Sequence, residues 1–427
     1  MEEKKIIEIK VEVGDDNGNS EHDIVINGES IEQPNVIAKI RKLPMFDEVN
    51  IDFVCENIHD NLISTVSSIA ASPGIYYSGK YALKSGETIR NIEVGADNNK
   101  LNSDVIIINT LEQIAGFAVN YAYEKGEDLN SIEINVKADM TTALPVTQYT
   151  KKNAGLFTKK FMDSKHKVTV HVGPINVDVS INFEFVKVLP ESVPTTFKLQ
   201  SMVLIKKEKL NEIEIKHNQE VEEVFEELNK KGETTIDGEF FKGKKILHCG
   251  IGEGTTEYPC TNDISFDPNF IKGSNNGIGH AIDKALPEFQ EDWGMLNYSR
   301  QKYSEVIRDL GHKFNESAVE IVDQYIEEQA EEILHHVKSE IQRANNEVDI
   351  LAVYGGGSIL MEKHLKEKLE DVCKKAKIVL FYVPAKYAVT LESKGMYQFT
   401  KGDIFKLLKE KYIKENIQVK AEKVVVK

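Results

Sequence analysis

Arginine is scarce in this sequence. Lysine and arginine together number 53 among 427 residues, yet the only arginines are Arg41, Arg90, Arg300, Arg308 and Arg343. The planar guanidinium group is the side chain best suited to grip a phosphate with two parallel hydrogen bonds. The sequence therefore offers few arginines for bidentate phosphate clamps.

Cysteines and long apolar runs are also rare. The cysteines (Cys55, Cys249, Cys260 and Cys373) are scattered without C-x-x-C spacing, which argues against a disulfide framework or zinc site and favours a reducing cytoplasm. The longest apolar runs, such as residues 105–108, fall far short of the ~20 residues that a membrane helix needs. The charged N-terminus has no apolar core of a secretory signal. We expect a cytoplasmic protein without a membrane partner.

Acidic residues outnumber basic residues in this sequence, 69 to 53. The formal net charge is -16, so most of the surface should repel nucleic acid and anionic membranes. Direct, tight DNA binding is therefore not expected. If the protein acts on DNA, it should do so through a basic partner.

The length of 427 residues exceeds what one compact core usually holds, which predicts two or more domains. Periodicity predicts an α/β protein, with a Lys-, Glu- and Asn-rich segment at about 206–242 that we interpret as a surface insertion or linker. Strands are predicted at 6–13, 22–26, 131–136, 167–172, 177–188, 244–254, 350–354 and 378–383, and helices at 103–124, 219–228, 315–342, 362–374 and 389–412.

Three glycine-containing turns each follow a predicted strand. Glycine lets backbone N–H groups approach phosphate oxygens with no side chain in the way. Taken singly, the first turn is more typical of an ordinary hairpin turn, and the other two are equally consistent with ordinary structural turns. Neither a Walker A loop nor a convincing dinucleotide fingerprint is present. The turns are Asp16-Asn17-Gly18-Asn19-Ser20, Gly250-Ile251-Gly252-Glu253-Gly254-Thr255-Thr256-Glu257 and Gly355-Gly356-Gly357-Ser358.

In this order and at these distances, the three turns resemble the phosphate-1, phosphate-2 and adenosine motifs of the superfamily of actins, chaperone ATPases and sugar kinases. Within it, the sequence is most similar to the ParM-type plasmid-segregation actins of Gram-positive plasmids. Local support comes from Ala143-Leu144-Pro145-Val146-Thr147-Gln148-Tyr149, from Leu189-Pro190-Glu191-Ser192 and from Gly277-Ile278-Gly279. The resemblance spans about residues 11–395.

The resemblance implies an actin-like two-domain fold, the duplicated ribonuclease H-like kind, with a nucleotide cleft between domains that each surround a five-stranded mixed sheet. Domain I would cover residues 1–191, with C-terminal helices from 385–427 packing back onto it, and domain II would cover 192–384. Residues of about 30–100 and 265–345 would form the small variable subdomains.

The same resemblance implies that ATP, or GTP, binds with Mg²⁺ in the cleft. The implied nucleotide-binding residues are Asp16, Gly18, Asn19, Ser20, Gly250, Gly252, Glu253, Gly254, Thr255, Thr256, Gly355, Gly356, Gly357 and Ser358, with Asp16 also holding the metal through water.

Glu191 is the residue that the resemblance implies for orienting the attacking water. Phosphoryl transfer needs an oriented water, a metal and charge stabilisation more than a strong base. Relatives usually carry an aspartate where this chain has Gly250, and they often place a lysine after the position of Ser20, where this chain has none. Asp16, Glu253 or Glu257 would have to compensate, or hydrolysis would be slow.

The function that the resemblance implies is a filament-forming ATPase that segregates plasmid DNA. Subunits would self-associate, and a separate ParR-like adaptor would hold the plasmid centromere. A small-molecule, sugar-type kinase and a non-hydrolysing structural scaffold are the alternatives on the same fold.

Overall fold

The computed structural model describes residues 4–45, 48–92, 100–230 and 235–425, with side chains described up to residue 415. Small parts of the predicted variable subdomain, insertion and C-terminal segment therefore lie outside the described residues. Two β-sheets with packed helices organise the chain, as an α/β fold requires.

The first sheet is built from alternating sequences whose buried faces carry the apolar residues. Strand β1 runs parallel to β8, which runs parallel to β10, and β2 and β3 form an antiparallel meander beside β1. The strands lie in the order β3-β2-β1-β8-β10-β9-β5-β6-β4-β7. Their bounds are β1 (Lys5–Asn17), β2 (Glu21–Ile26), β3 (Glu29–Pro34), β4 (Val36–Ile40), β5 (Ile63–Ser67), β6 (Gly74–Ser78), β7 (Ile89–Asn91), β8 (Ile132–Leu144), β9 (His166–Val172) and β10 (Ile175–Pro190).

The expected five-stranded sheet was too small for this half of the chain. Strand β9 pairs antiparallel with β5, for example Val66 with Val168, so the strands of the small subdomain continue the main sheet to ten described strands. An unpaired β9 would expose a row of backbone N–H and C=O groups. The pairing with β5 removes that edge.

The second sheet repeats the plan of the first. Strand β11 pairs in parallel with β16 and β16 with β17, while antiparallel strands flank the other side of β11. That flanking strand is interrupted at Tyr258 and Pro259, where proline has no N–H to donate. Its strands are β11 (Lys245–Ile251), β12 (Thr256–Glu257), β13 (Cys260–Asn262), β14 (Ser265–Phe266), β15 (Gly273–Ser274), β16 (Ile350–Tyr354) and β17 (Val379–Tyr382).

Strands β12 and β13 can be counted as one interrupted strand, and β14 and β15 as a second interrupted strand beside it. Counted in this way, the two sheets have the same strand order. In both, an antiparallel meander precedes two parallel strands. In each sheet, a glycine turn begins at the end of the first of the parallel strands: residues 16–20 at the end of β1, and residues 250–257 at the end of β11.

Helices cover the faces of both sheets. Helix α3 is long and apolar enough to cross a membrane by length and composition, but 89% of its apolar window is buried inside the protein, as in a core helix. The helices are α1 (Ile51–Glu56), α2 (Gly79–Lys84), α3 (Asp104–Glu124), α4 (Lys151–Met162), α5 (Val193–Ser201), α6 (Glu212–Val224), α7 (Glu226–Lys230), α8 (Ile278–Trp293), α9 (Arg300–Arg308), α10 (Asn315–Arg343), α11 (Gly356–Ala376), α12 (Ala385–Ala388), α13 (Leu391–Lys401) and α14 (Asp403–Val425), with 3₁₀ turns at Ile58–Asp60, Lys100–Asn102 and Gly238–Phe241.

The charged segment at 206–242 is more than a solvated insertion. Its helix α6 buries one apolar face, so Val221, Val224 and Phe225 join a core cluster with Ile350 and Phe381 of the second sheet. On the opposite side of α6, the charged residues Glu212, Lys216, Glu222 and Glu223 are exposed. An amphipathic helix can therefore look like a charge run when its apolar stripe is short.

Helix α13 packs against the first sheet. A Cβ atom on Gly14 of β1 would lie 2.2 Å from the backbone nitrogen of Tyr397, so the helix and strand touch through their main chains. Thr400 adds a hydrogen bond of 2.9 Å from its hydroxyl to the Val13 carbonyl.

Candidate nucleotide-binding cleft

A cavity of about 760 Å³ lies where the carboxyl ends of the central strands of both sheets meet. Crevices at the carboxyl ends of parallel strands are the usual ligand sites of α/β sheets. The volume falls in the range of pockets that hold small molecules and cofactors. All three glycine turns contribute to its wall.

The first glycine turn (residues 16–20) links β1 to β2 and is held from behind. The Asn35 side-chain amide donates to the Gly18 carbonyl at 2.6 Å, and the Asn35 backbone N–H donates to the Ser20 carbonyl at 2.6 Å. Beneath the turn, Nε2 of buried His22 lies 2.8 Å from Oδ1 of buried Asp15. The two neighbouring aspartates thus have separate surroundings: Asp15 anchors the turn and Asp16 lines the cavity.

The second glycine turn (residues 250–257) rests on the N-terminus of helix α8. The amides of Ile278 and Gly279 donate to the carbonyls of Gly252 and Glu253 at 3.1 and 2.7 Å. A Cβ atom on Gly277 would lie 2.2 Å from the Glu253 carbonyl oxygen. The Gly-Ile-Gly sequence is therefore required for this close contact.

The Glu253 carboxylate is directed at an arginine. Arg300 Nε, at the start of α9, lies 3.0 Å from Glu253 Oε1. Burial raises the pKa of Glu253 to about 7, and the Arg300 charge opposes that rise. Of the three residues proposed to compensate for Gly250, Glu253 thus faces a cation, but neither of its buried carboxylate oxygens has a hydrogen-bond partner among the described residues.

The third glycine turn (residues 355–358) opens helix α11. Gly355 has φ +93°, and a Cβ there would lie 2.4 Å from the Ile251 carbonyl oxygen; one on Gly357 would lie 2.6 Å from Ile251 Cγ2. These two glycines let the third turn pack on the second. Only Gly356 is open, with Glu21 Oε2 at 3.5 Å as the nearest atom to an added Cβ.

Four carboxyl groups lie in or beside the cavity around one lysine. We call Asp16, Glu191, Glu257 and Glu392 the acidic cluster; all four line the cavity, as does Lys100. Lys100 Nζ donates to Glu191 Oε1 at 2.5 Å, and Glu392 accepts from the Ser192 amide at 2.5 Å.

Burial and mutual repulsion disfavour negative charge in the acidic cluster. Burial, reinforced by the Glu191 charge, raises the pKa of Asp16 to about 7 and that of Glu257 to about 8. Burial also raises the pKa of Glu392 well above its usual value, with Asp16 adding to the rise. Burial opposes the charge of Lys100, but Glu191 and Asp16 outweigh it and raise the pKa of the ammonium. A further positive charge near these side chains would therefore stabilise their ionised carboxylate form.

The acidic cluster fits a hydrated magnesium ion. Glu257 Oε2 is buried and has no hydrogen-bond partner among the described residues. Within the described ranges, no three His, Cys, Asp or Glu side chains are placed to bind a metal directly. Mg²⁺ commonly keeps several waters and uses one or two carboxylates with substrate phosphates, which matches a site that holds the ion through water.

The cavity gathers most, but not all, of the residues predicted for it. Glu191 and the predicted residues of the first turn line it, together with Gly250, Gly252, Glu253, Thr255 and the three successive glycines. The others lie behind the wall: Gly254 accepts from His280, Thr256 donates to the Asn276 carbonyl, and Ser358 donates to the Gly355 carbonyl.

Sequence reasoning missed five of the charged side chains that line the cavity: Glu21, Asp23, Lys100, Arg308 and Glu392. Lys100 precedes a helix without any glycine signal, and Glu392 lies within a helix. Arg308 of α9 forms an ion pair with Glu21 of β2 across the cavity. Only the tertiary fold brings these residues together.

Comparisons with known proteins support the fold. A scan against protein-family models gives no match, and neither does a search of curated protein sequences. Among solved structures, the actin-like protein Alp7A is similar with a TM-score of 0.61 at 15% identity, covering 97% of this chain and 100% of Alp7A. The archaeal actin homologue Ta0583 gives 0.58 at 15%, covering 92% and 99%.

ParM of Bacillus thuringiensis, solved with AMPPNP, gives a TM-score of 0.55 at 17% identity, covering 91% of this chain and 98% of ParM. The same ParM was also solved with ADP and with ATP. The chain therefore has the actin-like α/β fold, similar to ParM and other prokaryotic actin homologues. The resemblance drawn from the three glycine turns is confirmed at the level of the fold.

Proposed function

We propose that this protein is an actin-like ATPase that binds Mg²⁺-nucleotide in the cleft, assembles into filaments and segregates plasmid DNA. The observation that carries the proposal is the convergence of three glycine turns, from both sheets, on one cavity with an acidic cluster. ParM, a structural neighbour, was solved with AMPPNP, ADP and ATP.

Each wall of the cavity has a distinct role in this proposal. Backbone N–H groups near Gly18 and Gly252 would bind phosphate oxygens, and Thr255 would add a hydroxyl donor. The open face at Gly356, at the start of the 21-residue helix α11, would lie under the nucleoside. Asp16 and Glu257 would hold Mg²⁺ through water, and the ion would neutralise charge on the transferring phosphoryl group.

Glu191 would orient the attacking water. It follows β10 at the first connection between the sheets, and its amide donates to the Leu144 carbonyl at 2.9 Å, which fixes the backbone beside the cavity. The carboxylate lies among charges that would surround the terminal phosphate. Positioning of this kind, rather than basicity, is what phosphoryl transfer to water requires.

Filament assembly would follow from the bound nucleotide. A triphosphate that bridges both sheets would favour a closed form, and a head-to-tail contact that does not close into a ring generates a filament. Because the net charge is -16, we assign DNA attachment to a basic, ParR-like adaptor in the cytoplasm. One solved structural neighbour is described as a non-polymerisable quadruple mutant of pCBH ParM.

The decisive experiment is sedimentation of the purified protein with ATP, GTP, ADP or no nucleotide, followed by electron microscopy of the pellets. We expect filaments with a triphosphate and little pelleting without one. Nucleotide binding without any assembly, combined with phosphate transfer to a small alcohol, would replace the proposal with the kinase alternative.

Gly250 supports a second candidate, a filament scaffold that binds nucleotide without hydrolysing it. The chain lacks a carboxylate at this position, and the Glu191 carboxylate is bound by Lys100. Phosphate release measured during assembly separates the two candidates. Stable filaments without phosphate release would favour the scaffold.

A further inference from the structure

Lys100 is the most unusual cation of the cleft. Its side chain is 6% exposed, although lysine is rarely buried unless it is paired. It belongs to the 3₁₀ turn before α3, far in sequence from all three glycine turns. Among the described residues, Lys100 and Arg308 are the cations that line the cavity, and Arg308 is paired with Glu21.

Among the described residues, the ammonium of Lys100 leaves N–H donors without a partner. A lysine offers three N–H donors, and the hydrogen bond to Glu191 uses one of them. The charges of Asp16, Glu191 and Glu392 all act on it. A lysine that served only to neutralise Glu191 would not need to face the cavity.

The electrostatics of the cavity also require such a cation. Three further carboxyl groups surround the Lys100–Glu191 pair, and the first glycine turn contains no lysine. A terminal phosphate entering here would add negative charge to a cluster in which burial and mutual repulsion already disfavour it. Hydrated Mg²⁺ and Lys100 would offset that charge, since Lys100 lies within the acidic cluster, whereas Arg308 is paired with Glu21 outside it.

We propose that Lys100 is a ligand of the terminal phosphate that exchanges partners: it pairs with Glu191 before a triphosphate binds and moves to the phosphate afterwards. The exchange frees the Glu191 carboxylate to accept a hydrogen bond from water. Nucleoside diphosphate, which lacks this phosphate, leaves the Lys100–Glu191 pair in place. The inference rests on the proposed nucleotide function and specifies how the cleft distinguishes the two nucleotide states.

The test measures affinities for Mg²⁺-AMPPNP and Mg²⁺-ADP by calorimetry with the full chain. In Lys100→Met, we expect triphosphate affinity to fall about 10- to 100-fold, the range for a lost charge-assisted hydrogen bond, while ADP affinity changes little. Lys100→Arg should retain most of the preference. The matched control is Lys80→Met, which removes an exposed lysine paired with Asp60 at 2.9 Å outside the cavity.

A second variant keeps the test decisive if Lys100→Met does not fold. Glu191→Gln removes the competing carboxylate, so it should tighten AMPPNP binding relative to ADP and should not weaken it. The inference is overturned if either folded variant keeps the wild-type ratio of the two affinities, since a purely structural ion pair would change thermal stability alone. If the wild-type protein binds neither nucleotide, the proposed function itself fails.

Discussion

At the scale of single residues, the three successive glycines of the third turn have different roles. Gly355 and Gly357 allow backbone contact with Ile251, whereas Gly356 faces the cavity. Substitution at Gly355 therefore tests folding, because a side chain there would meet both a positive φ and a main-chain oxygen at 2.4 Å. Gly356 is the position that tests binding.

We predict that Gly356→Val folds normally and loses nucleotide binding, because the added side chain occupies the cavity between Glu21 and Val389. Thermal unfolding should report the intact fold, and calorimetry the lost affinity. Gly155→Val is a suitable control, since its site on α4 has no atom within 4 Å of an added Cβ. Unchanged affinity in folded Gly356→Val would show that the nucleoside does not lie there.

Glu191→Ala should slow phosphate release strongly while nucleotide still binds. Loss of one positioning or base group typically reduces the rate by ~10²–10⁴. Filaments should form and then persist, because assembly depends on the bound triphosphate and disassembly depends on its cleavage. The measurement is phosphate release during assembly, and equal rates would transfer the water-positioning role to Glu253 or Glu257, both of which line the cavity.

Glu112 gives a pH prediction outside the cleft. It is fully buried on α3, accepts from the Ser64 hydroxyl, and has one oxygen without a partner among the described residues. Burial raises its pKa from 4.5 to about 8, so the folded state binds a proton that the unfolded state releases. Its contribution to stability is complete below pH 4.5 and is lost as pH rises towards 8.

Glu112→Gln should therefore match the wild type near pH 4.5 and exceed it in stability at pH 8. The difference between the two should grow by at most about 1.4 kcal/mol per pH unit. Urea unfolding across this pH range provides the measurement. Parallel pH profiles for the two proteins would mean that Glu112 is ionised in the folded state.

The sequence indicated the glycine turns because their signal is local: a strand, then glycines within a few residues. Lys100 and Glu392 had no such signal, since their importance arises from neighbours more than 80 residues away. Local pattern also could not tell which glycines of the third turn serve packing. That distinction depends on the position of Ile251 in a separate strand.

At the scale of elements, helix α13 ties the two halves of the chain together. It touches β1 through Gly14 and α5 through Gly395, where an added Cβ would lie 2.0 Å from the Pro194 carbonyl oxygen. Helix α5 directly follows Glu191 and Ser192 at the connection between the sheets. The two helices thus meet backbone to backbone beside the cleft.

Alanine substitutions at two helical glycines should change the free energy of unfolding in opposite directions. Gly395→Ala should destabilise the protein by about 1–3 kcal/mol, the usual effect of overpacking, because the obstructing atom belongs to the main chain. Gly155→Ala on the exposed side of α4 should stabilise it by up to about 1 kcal/mol through helix propensity. Urea unfolding of both variants measures the effects. Equal effects at the two sites would contradict the close α13–α5 contact.

Most elements could be predicted from periodicity, because α3, α10, β9 and β10 carry long and regular apolar patterns. The pairing of β9 with β5 could not, since about 100 residues separate the strands and either could have remained an edge. The burial of α6 could not be predicted for a related reason. Its few apolar residues form a core only by packing against Ile350 and Phe381, which are distant in sequence.

At the scale of the whole molecule, the two sheets are joined around the cleft by more than the chain connections. Helix α9 carries Arg300, which binds Glu253 of the second glycine turn, and Arg308, which pairs with Glu21 next to the first. A single helix therefore contacts the walls contributed by both sheets.

The charge of the whole molecule leads to the last prediction, that the protein alone does not bind duplex DNA tightly. Nucleic-acid affinity depends on lysines and arginines that neutralise phosphates. The net charge is -16, and the basic stretches are short: residues 151–167 carry six lysines against one aspartate, and residues 401–427 carry eight lysines against four acidic residues. Even there, Lys409 is paired with Asp139 and Glu184.

Fluorescence anisotropy with labelled duplex DNA at physiological salt should therefore show no binding at micromolar protein, with or without nucleotide. Filaments should bind no better, because assembly multiplies negative charge along the polymer. Addition of a basic adaptor should produce nucleotide-dependent co-sedimentation of DNA. Tight, salt-sensitive binding by the full chain that disappears when residues 402–427 are removed would instead place the DNA contact on helix α14, and the adaptor would then be unnecessary.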